Sequence, residues 1–140
     1  MDTSVIIAAA GSSTRMNGID KQLSEINGIS VIGRTMLAFE KCDSVFDIVL
    51  VSREESIPMF RKISESLNIS KPITFVTGGK TRQESVLSGL KAISKETKFI
   101  AVHDGARPLV SSDKIEKVIA DARIFGGATL GVPVKDTVKA

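Results

Sequence analysis

The feature that most constrains this chain is a short apolar run, Val5 to Ala10, that stops at Gly11. It is too short for a useful helix and has no polar alternation, so it suits a strand buried on both faces of a sheet. Runs of the same kind recur at FDIVLVS (Phe46 to Ser52), Ile73 to Val76, Phe99 to Val102 and Ala128 to Val134. Between them lie helical patterns. Ile32, Met36 and Phe39 share a face of a helix over Val31 to Phe39, and Ile57, Phe60, Ile63 and Leu67 do so over Glu54 to Leu67. Val86, Leu90 and Ile93 mark a helix over Arg82 to Ile93. Ile115, Val118, Ile119 and Ala122 mark another over Asp113 to Phe125, with Ser112 as its expected N-cap. Asn27-Gly28 is a hairpin signal. Strands alternating with helices imply right-handed crossovers, hence an α/β fold with a mostly parallel, twisted sheet and a helical layer on each face. Ligands of such sheets bind beyond the carboxyl ends of the strands, which directs attention to four loops.

Residues 1–140 are expected to form one domain, since the length supports a single core and is short for two. No apolar run approaches the roughly 20 residues of a membrane span, and Asp2 precedes the first run where a secretory signal would carry basic residues. The expected location is cytoplasmic. A lone Cys42 allows no internal disulfide and has no neighbouring thiol or His, so it reads as structural. Lys plus Arg number 19 against 16 Asp plus Glu, a modest excess that suits small anionic ligands. The cations are not interleaved with aromatic residues, and Trp and Tyr are absent, which argues against macromolecular nucleic acid as a partner.

The first loop, AAAGSSTRMNGIDKQ, offers backbone and hydroxyl groups at Gly11, Ser12, Ser13 and Thr14, with cations at Arg15 and Lys21. Such a loop is either a plain turn or a cradle for a phosphate chain, and the two cations favour the cradle. Its spacing is neither that of a Walker A loop nor of a dinucleotide fingerprint. In TGGKTRQES, Gly78 and Gly79 permit close backbone approach to a base edge. Thr81 and Glu84 also form a capping box, and both readings stand together. Lys80, Arg82 and Gln83 are not explained by capping. The fourth strand ends in VHDGARP, which makes Asp104 the best magnesium ligand in the chain, because that ion takes hard oxygen donors and shares phosphate oxygens. Strand neighbours point to opposite faces, so His103 is expected in a structural or supporting role and not as a base. The last segment, GVPVKDTVKA, is either a solvated end or a set of contacts for a second anionic substrate.

Together the stretches AAAGSSTRM with Lys21-Gln22, GGKTRQESV, HDGARP and VPVKDTVK resemble the 2-C-methyl-D-erythritol 4-phosphate cytidylyltransferases. The resemblance covers nearly the whole chain. It implies a Rossmann-like, three-layer nucleotidyltransferase fold, with Arg15 and Lys21 as catalytic residues that bind the triphosphate and stabilise the transition state. It implies nucleotide contacts from Ala9, Ala10, the loop Gly11 to Thr14, Gly79, Lys80, Arg82 and Ser85, with Asp104 and Gly105 near ribose and metal. Arg107 and Thr137 fall to the acceptor, and Asp104 to Mg2+. Lys80 stands where some relatives carry Asp, which bears on a base contact. HDGARP favours methylerythritol phosphate over ribitol 5-phosphate, whose cytidylyltransferases tend to read HDSVRP. Other nucleotide-sugar pyrophosphorylases, and a non-catalytic nucleotide-binding module, are the alternatives.

The implied reaction transfers CMP from CTP to a small polyol phosphate by in-line attack and releases pyrophosphate, without an enzyme nucleophile. Enzymes of that family continue beyond Thr137 and are homodimers through an arm in that continuation. The chain is therefore expected to be the nucleotide-binding portion of one domain, truncated at its C-terminus, with little transferase activity alone and some exposed apolar surface.

Overall fold

The computed structural model describes residues 1–11 and 21–133. Strand β1 is Thr3–Ala9, and the Asn27-Gly28 turn joins the two short strands β2 (Glu25–Ile26) and β3 (Ile29–Ser30). Asn27 and Gly28 take φ of 51° and 81°, the left-handed geometry a two-residue hairpin turn demands. Helix α1 (Val31–Glu40) leads to β4 (Val45–Ser52), then α2 (Ile57–Ser66), β5 (Ile73–Thr77), α3 (Arg82–Lys91), β6 (Phe99–Asp104) and α4 (Ser112–Phe125).

Four strands form one parallel sheet in the order β5-β4-β1-β6. One face carries α1, α2 and α4, whose Ile32, Met36, Phe39, Phe60, Ile115 and Ile119 pack on Val5, Ile7, Ile48 and Leu50. On the other face, Ile6, Val49 and Val51 lie under Ala92 and Ile93 at the end of α3. This is the expected three-layer α/β/α arrangement. Central strands β1 and β4 are sealed on both faces, which is why they read as continuous apolar runs with no alternation.

Three expectations are corrected. The segment expected as a strand from Ala128 is irregular through Pro133, its remainder lying outside the described residues; Leu130 and Val132 stand 52% and 85% exposed. A strand exists by pairing, and no described strand lies beside this one to accept its backbone hydrogen bonds. The N-cap of α4 is Ser111, whose hydroxyl accepts from the Lys114 amide, while Ser112 is already helical. The helix expected from Glu54 opens as a 3-10 turn over Glu54–Ser56, and the α-helix begins at Ile57, where Pro58 suits a first turn that lacks amide partners.

Cys42 is fully buried, its thiol pushed up to about 11 chiefly by desolvation, so it is no nucleophile at neutral pH. No helix among the described residues is long and apolar enough to cross a membrane.

Candidate active site

The strand order locates the crevice. From β1 the chain steps outward to β4 and β5, then α3 carries it back across the sheet to β6 on the far side of β1. The connections therefore diverge between β1 and β6, and a ligand crevice opens at the carboxyl ends of those two strands. Those ends are Ala9, Ala10 and Gly11 on one side and Asp104 and Gly105 on the other. The Gly105 amide donates to the Ala8 carbonyl at 2.9 Å, extending the ladder by one step. Behind it, the Thr35 hydroxyl donates to the Gly105 carbonyl at 2.9 Å, and the buried Gln22 amide donates to the Ala9 carbonyl at 3.2 Å. The crevice floor is thus built from backbone that α1 and the turn at Lys21–Leu23 hold in place.

The β5–α3 loop borders this floor. Thr81 and Glu84 form the expected capping box: the Thr81 hydroxyl accepts from the Glu84 amide, and the Glu84 carboxylate accepts from the Thr81 amide. The same carboxylate takes the Lys80 amide at 2.6 Å, while buried Ser85 accepts from the Gly79 amide at 3.2 Å. A Cβ on Gly78 would stand 2.5 Å from the Ala10 Cβ and 2.6 Å from the Ser85 Oγ, so only glycine lets this loop close against the end of β1.

Asp104 is gripped from two sides. Arg82, the first residue of α3, places Nε at 3.1 Å and a terminal nitrogen at 3.0 Å from Oδ1; Arg107 places Nε at 3.1 Å from Oδ2. The Asp104 side chain remains 33% exposed. His103 points to the other face, its ring edge-on to Phe39 with centroids 5.2 Å apart and its Nε2 2.9 Å from the Arg107 carbonyl. A carbonyl only accepts, so Nε2 carries the proton in this pairing and is not poised as a base.

The sequence profile of the 2-C-methyl-D-erythritol 4-phosphate cytidylyltransferases matches residues 3–140. The chain belongs to that family. An enzyme of this name from Clostridium botulinum (strain Langeland) is 44% identical over 137 residues, covering 97% of this chain and 60% of the relative. One from Bacillus licheniformis is 41% identical over 140 residues, covering 99% and 60%. Among solved structures, a 4-diphosphocytidyl-2C-methyl-D-erythritol synthase superposes with a TM-score of 0.78 at 28% identity, over 99% of this chain and 62% of that one. The synthase from Anaerococcus prevotii gives 0.76 at 30% identity, over 87% and 51%. The chain spans about 60% of the length of the curated relatives it matches.

Of the positions that the family resemblance singles out, Ala9, Ala10 and Gly11 lie at the end of β1, and Asp104 and Gly105 at the end of β6. Gly79, Lys80, Arg82 and Ser85 occupy the bordering loop and the first turn of α3, Arg107 the turn after β6, and Lys21 an exposed position opening a short 3-10 turn. Ser12, Ser13, Thr14, Arg15 and Thr137 lie outside the described residues. Sequence reasoning gave no role to Gln22 or Thr35, whose polar groups reach a strand end from elsewhere in the chain. A groove of about 280 Å³ between the β2–β3 hairpin and α2 is lined by Leu23, Glu25, Ile29, Met59 and Leu67. It offers a carboxylate and no cation, so it does not suit a triphosphate.

No three His, Cys, Asp or Glu side chains gather among the described residues. Among the described residues, Asp104 supplies one hard, partly exposed carboxylate at the crevice. That set suits an ion that takes most of its ligands from phosphate and water, as magnesium does, and not an ion held by protein groups alone.

Proposed function

We propose that the chain is the nucleotide-binding portion of an enzyme that transfers CMP from CTP to 2-C-methyl-D-erythritol 4-phosphate, giving 4-diphosphocytidyl-2-C-methyl-D-erythritol and pyrophosphate. The observation that carries this reading is the crevice between β1 and β6, where Asp104 and the β5–α3 loop meet in a member of this family. The loop from Gly11 to Thr14 would receive the triphosphate, Ala9, Ala10, Gly79, Lys80 and Ser85 the base, and Asp104 and Gly105 the ribose and the metal. Arg107 and Thr137 would hold the acceptor. An acceptor phosphate oxygen forms a bond to the α-phosphorus, and the bond from that phosphorus to the oxygen bridging to the β-phosphate breaks. Arg15 and Lys21 neutralise the charge that builds on the leaving pyrophosphate. Magnesium, bound with the nucleotide, would supply further neutralisation of the phosphates. A phosphate monoester is largely ionised at neutral pH, so positioning the reactants outweighs proton abstraction, in keeping with the side-on placement of His103.

The test is pyrophosphate release by the full-length enzyme carrying these residues with CTP, UTP, GTP or dTTP, each offered methylerythritol phosphate, ribitol 5-phosphate or a sugar 1-phosphate, alongside calorimetric nucleotide binding. CTP with methylerythritol phosphate is the expected pair, with Lys21→Ala lowering turnover by about 10²-fold or more, the scale of a lost transition-state contact. Preference for UTP with a sugar 1-phosphate would overturn the reading.

A further inference from the structure

We infer that Arg82 is a positioning residue that holds the Asp104 carboxylate into the crevice and keeps it closed to a bare divalent cation, so that metal enters together with an anionic nucleotide. The inference rests on the crevice being a nucleotide site. Its ground is the geometry of one ion pair. Arg82 opens α3, the helix that crosses from β5 at one edge of the sheet to β6 at the other, and its guanidinium sets Nε at 3.1 Å and a terminal nitrogen at 3.0 Å on a single oxygen, Oδ1 of Asp104. Arg107 takes the second oxygen at 3.1 Å. Both carboxylate oxygens therefore face a guanidinium, and a lone cation approaches Asp104 against the repulsion of two positive charges. A nucleotide changes that balance. Its phosphates offer Arg82 a second anionic partner of matching fork geometry and bring compensating charge for the metal. Arg82 is 61% exposed, so nothing packed around it prevents the guanidinium from swinging away. The same residue thereby links the loop beside Gly78 and Gly79 to the carboxylate across the crevice, two sites that would otherwise fill independently.

The experiment uses the 140-residue chain with Mn2+ as the probe. Paramagnetic broadening of the Gly105 amide and its neighbours reports the dissociation constant with and without CTP. Wild type is compared with Arg82→Gln, Arg82→Lys and Asp104→Asn, after circular dichroism has shown each to be folded. Without nucleotide, Arg82→Gln should bind Mn2+ about threefold tighter or more, the scale set by a surface ion pair and one removed positive charge. Arg82→Lys, which keeps the charge, should stay near wild type, and Asp104→Asn should lose the broadening. The gain in Mn2+ affinity that CTP brings should shrink in Arg82→Gln. Unchanged or weaker Mn2+ binding in Arg82→Gln overturns the inference, as does undiminished broadening in Asp104→Asn. Failure of wild type to bind CTP would instead defeat the nucleotide reading, while the comparison with Mn2+ alone would still decide the role of Arg82.

Discussion

The two faces of the sheet are built differently. Under α1, α2 and α4, the side chains of Val5, Ile7, Ile48, Leu50, Met36, Phe39 and Phe60 are at most 2% exposed. Among the described residues the opposite face has a single helix, and around it Ile100 and Val102 of β6 are 47% and 43% exposed, with Leu87 and Leu90 of α3 at 52% and 41%. Stability is therefore concentrated on the first face. The second keeps a close contact where α3 meets β1, β4 and β5, and it spends the first turn of that helix on the crevice. A cluster of half-exposed apolar side chains beside an edge strand is also where association with other polypeptide is expected.

The sharpest way to break this comparison is to truncate one apolar side chain on each face. Phe60→Ala should cost about 3–5 kcal/mol in urea unfolding, through lost transfer energy and a cavity, whereas Val102→Ala should cost under about 1 kcal/mol because its side chain is already half in water. Equal losses would show that β6 is sealed in solution. A smaller effect is expected from Gly78→Ala. The new methyl would sit 2.5 Å from the Ala10 Cβ and 2.6 Å from the Ser85 Oγ. Overpacking of this kind costs about 1–3 kcal/mol, and because the displaced groups line the crevice, CTP affinity should fall beyond what the unfolding midpoint accounts for. Unaltered CTP binding would remove this loop from the site.

Smaller still in stability is Asp104→Asn, which breaks two exposed ion pairs worth together about 1 kcal/mol or less. It should nevertheless abolish the dependence of CTP binding on magnesium, read by calorimetry with and without the ion. Retained dependence would place the metal elsewhere. The least effect concerns Asp2, whose carboxyl is drawn down to about 2 chiefly by the Arg123 guanidinium at 2.6 Å. An unfolded Asp titrates near about 3.9, so this pair contributes fully above about pH 4 and its contribution is lost as the pH falls toward 2. Asp2→Asn should flatten that part of the acid unfolding curve and leave neutral-pH CTP binding unchanged. An acid limb identical to wild type would show that the pair adds nothing.

Much of the local structure was legible in sequence because it depends on neighbours along the chain. The capping box needs Thr81 and Glu84 three residues apart, and the hairpin needs Asn27 and Gly28 to accept positive φ. The opposed directions of His103 and Asp104 follow from strand alternation. The segment from Ala128 misled for the converse reason: its composition suits a strand, but a strand requires hydrogen bonds from another segment, and through Pro133 no described strand pairs with it.

The sequence by itself determined the order and type of the main elements, since apolar period and turn chemistry act over a few residues at a time. It also pointed to which loops hold glycine, hydroxyl and charged groups. Only the tertiary structure decided that β6 lies beside β1 while β4 and β5 lie on its other side, which sets the crevice between Ala9 and Asp104. The partners that shape that crevice are equally nonlocal: Arg82 reaches Asp104 across 22 residues, Thr35 reaches the Gly105 carbonyl across 70, and Gln22 reaches the Ala9 carbonyl across 13. No periodicity encodes such pairs. They arise because a packed sheet brings strand ends together in space, and a guanidinium or a hydroxyl then finds the charge or carbonyl that lies within reach.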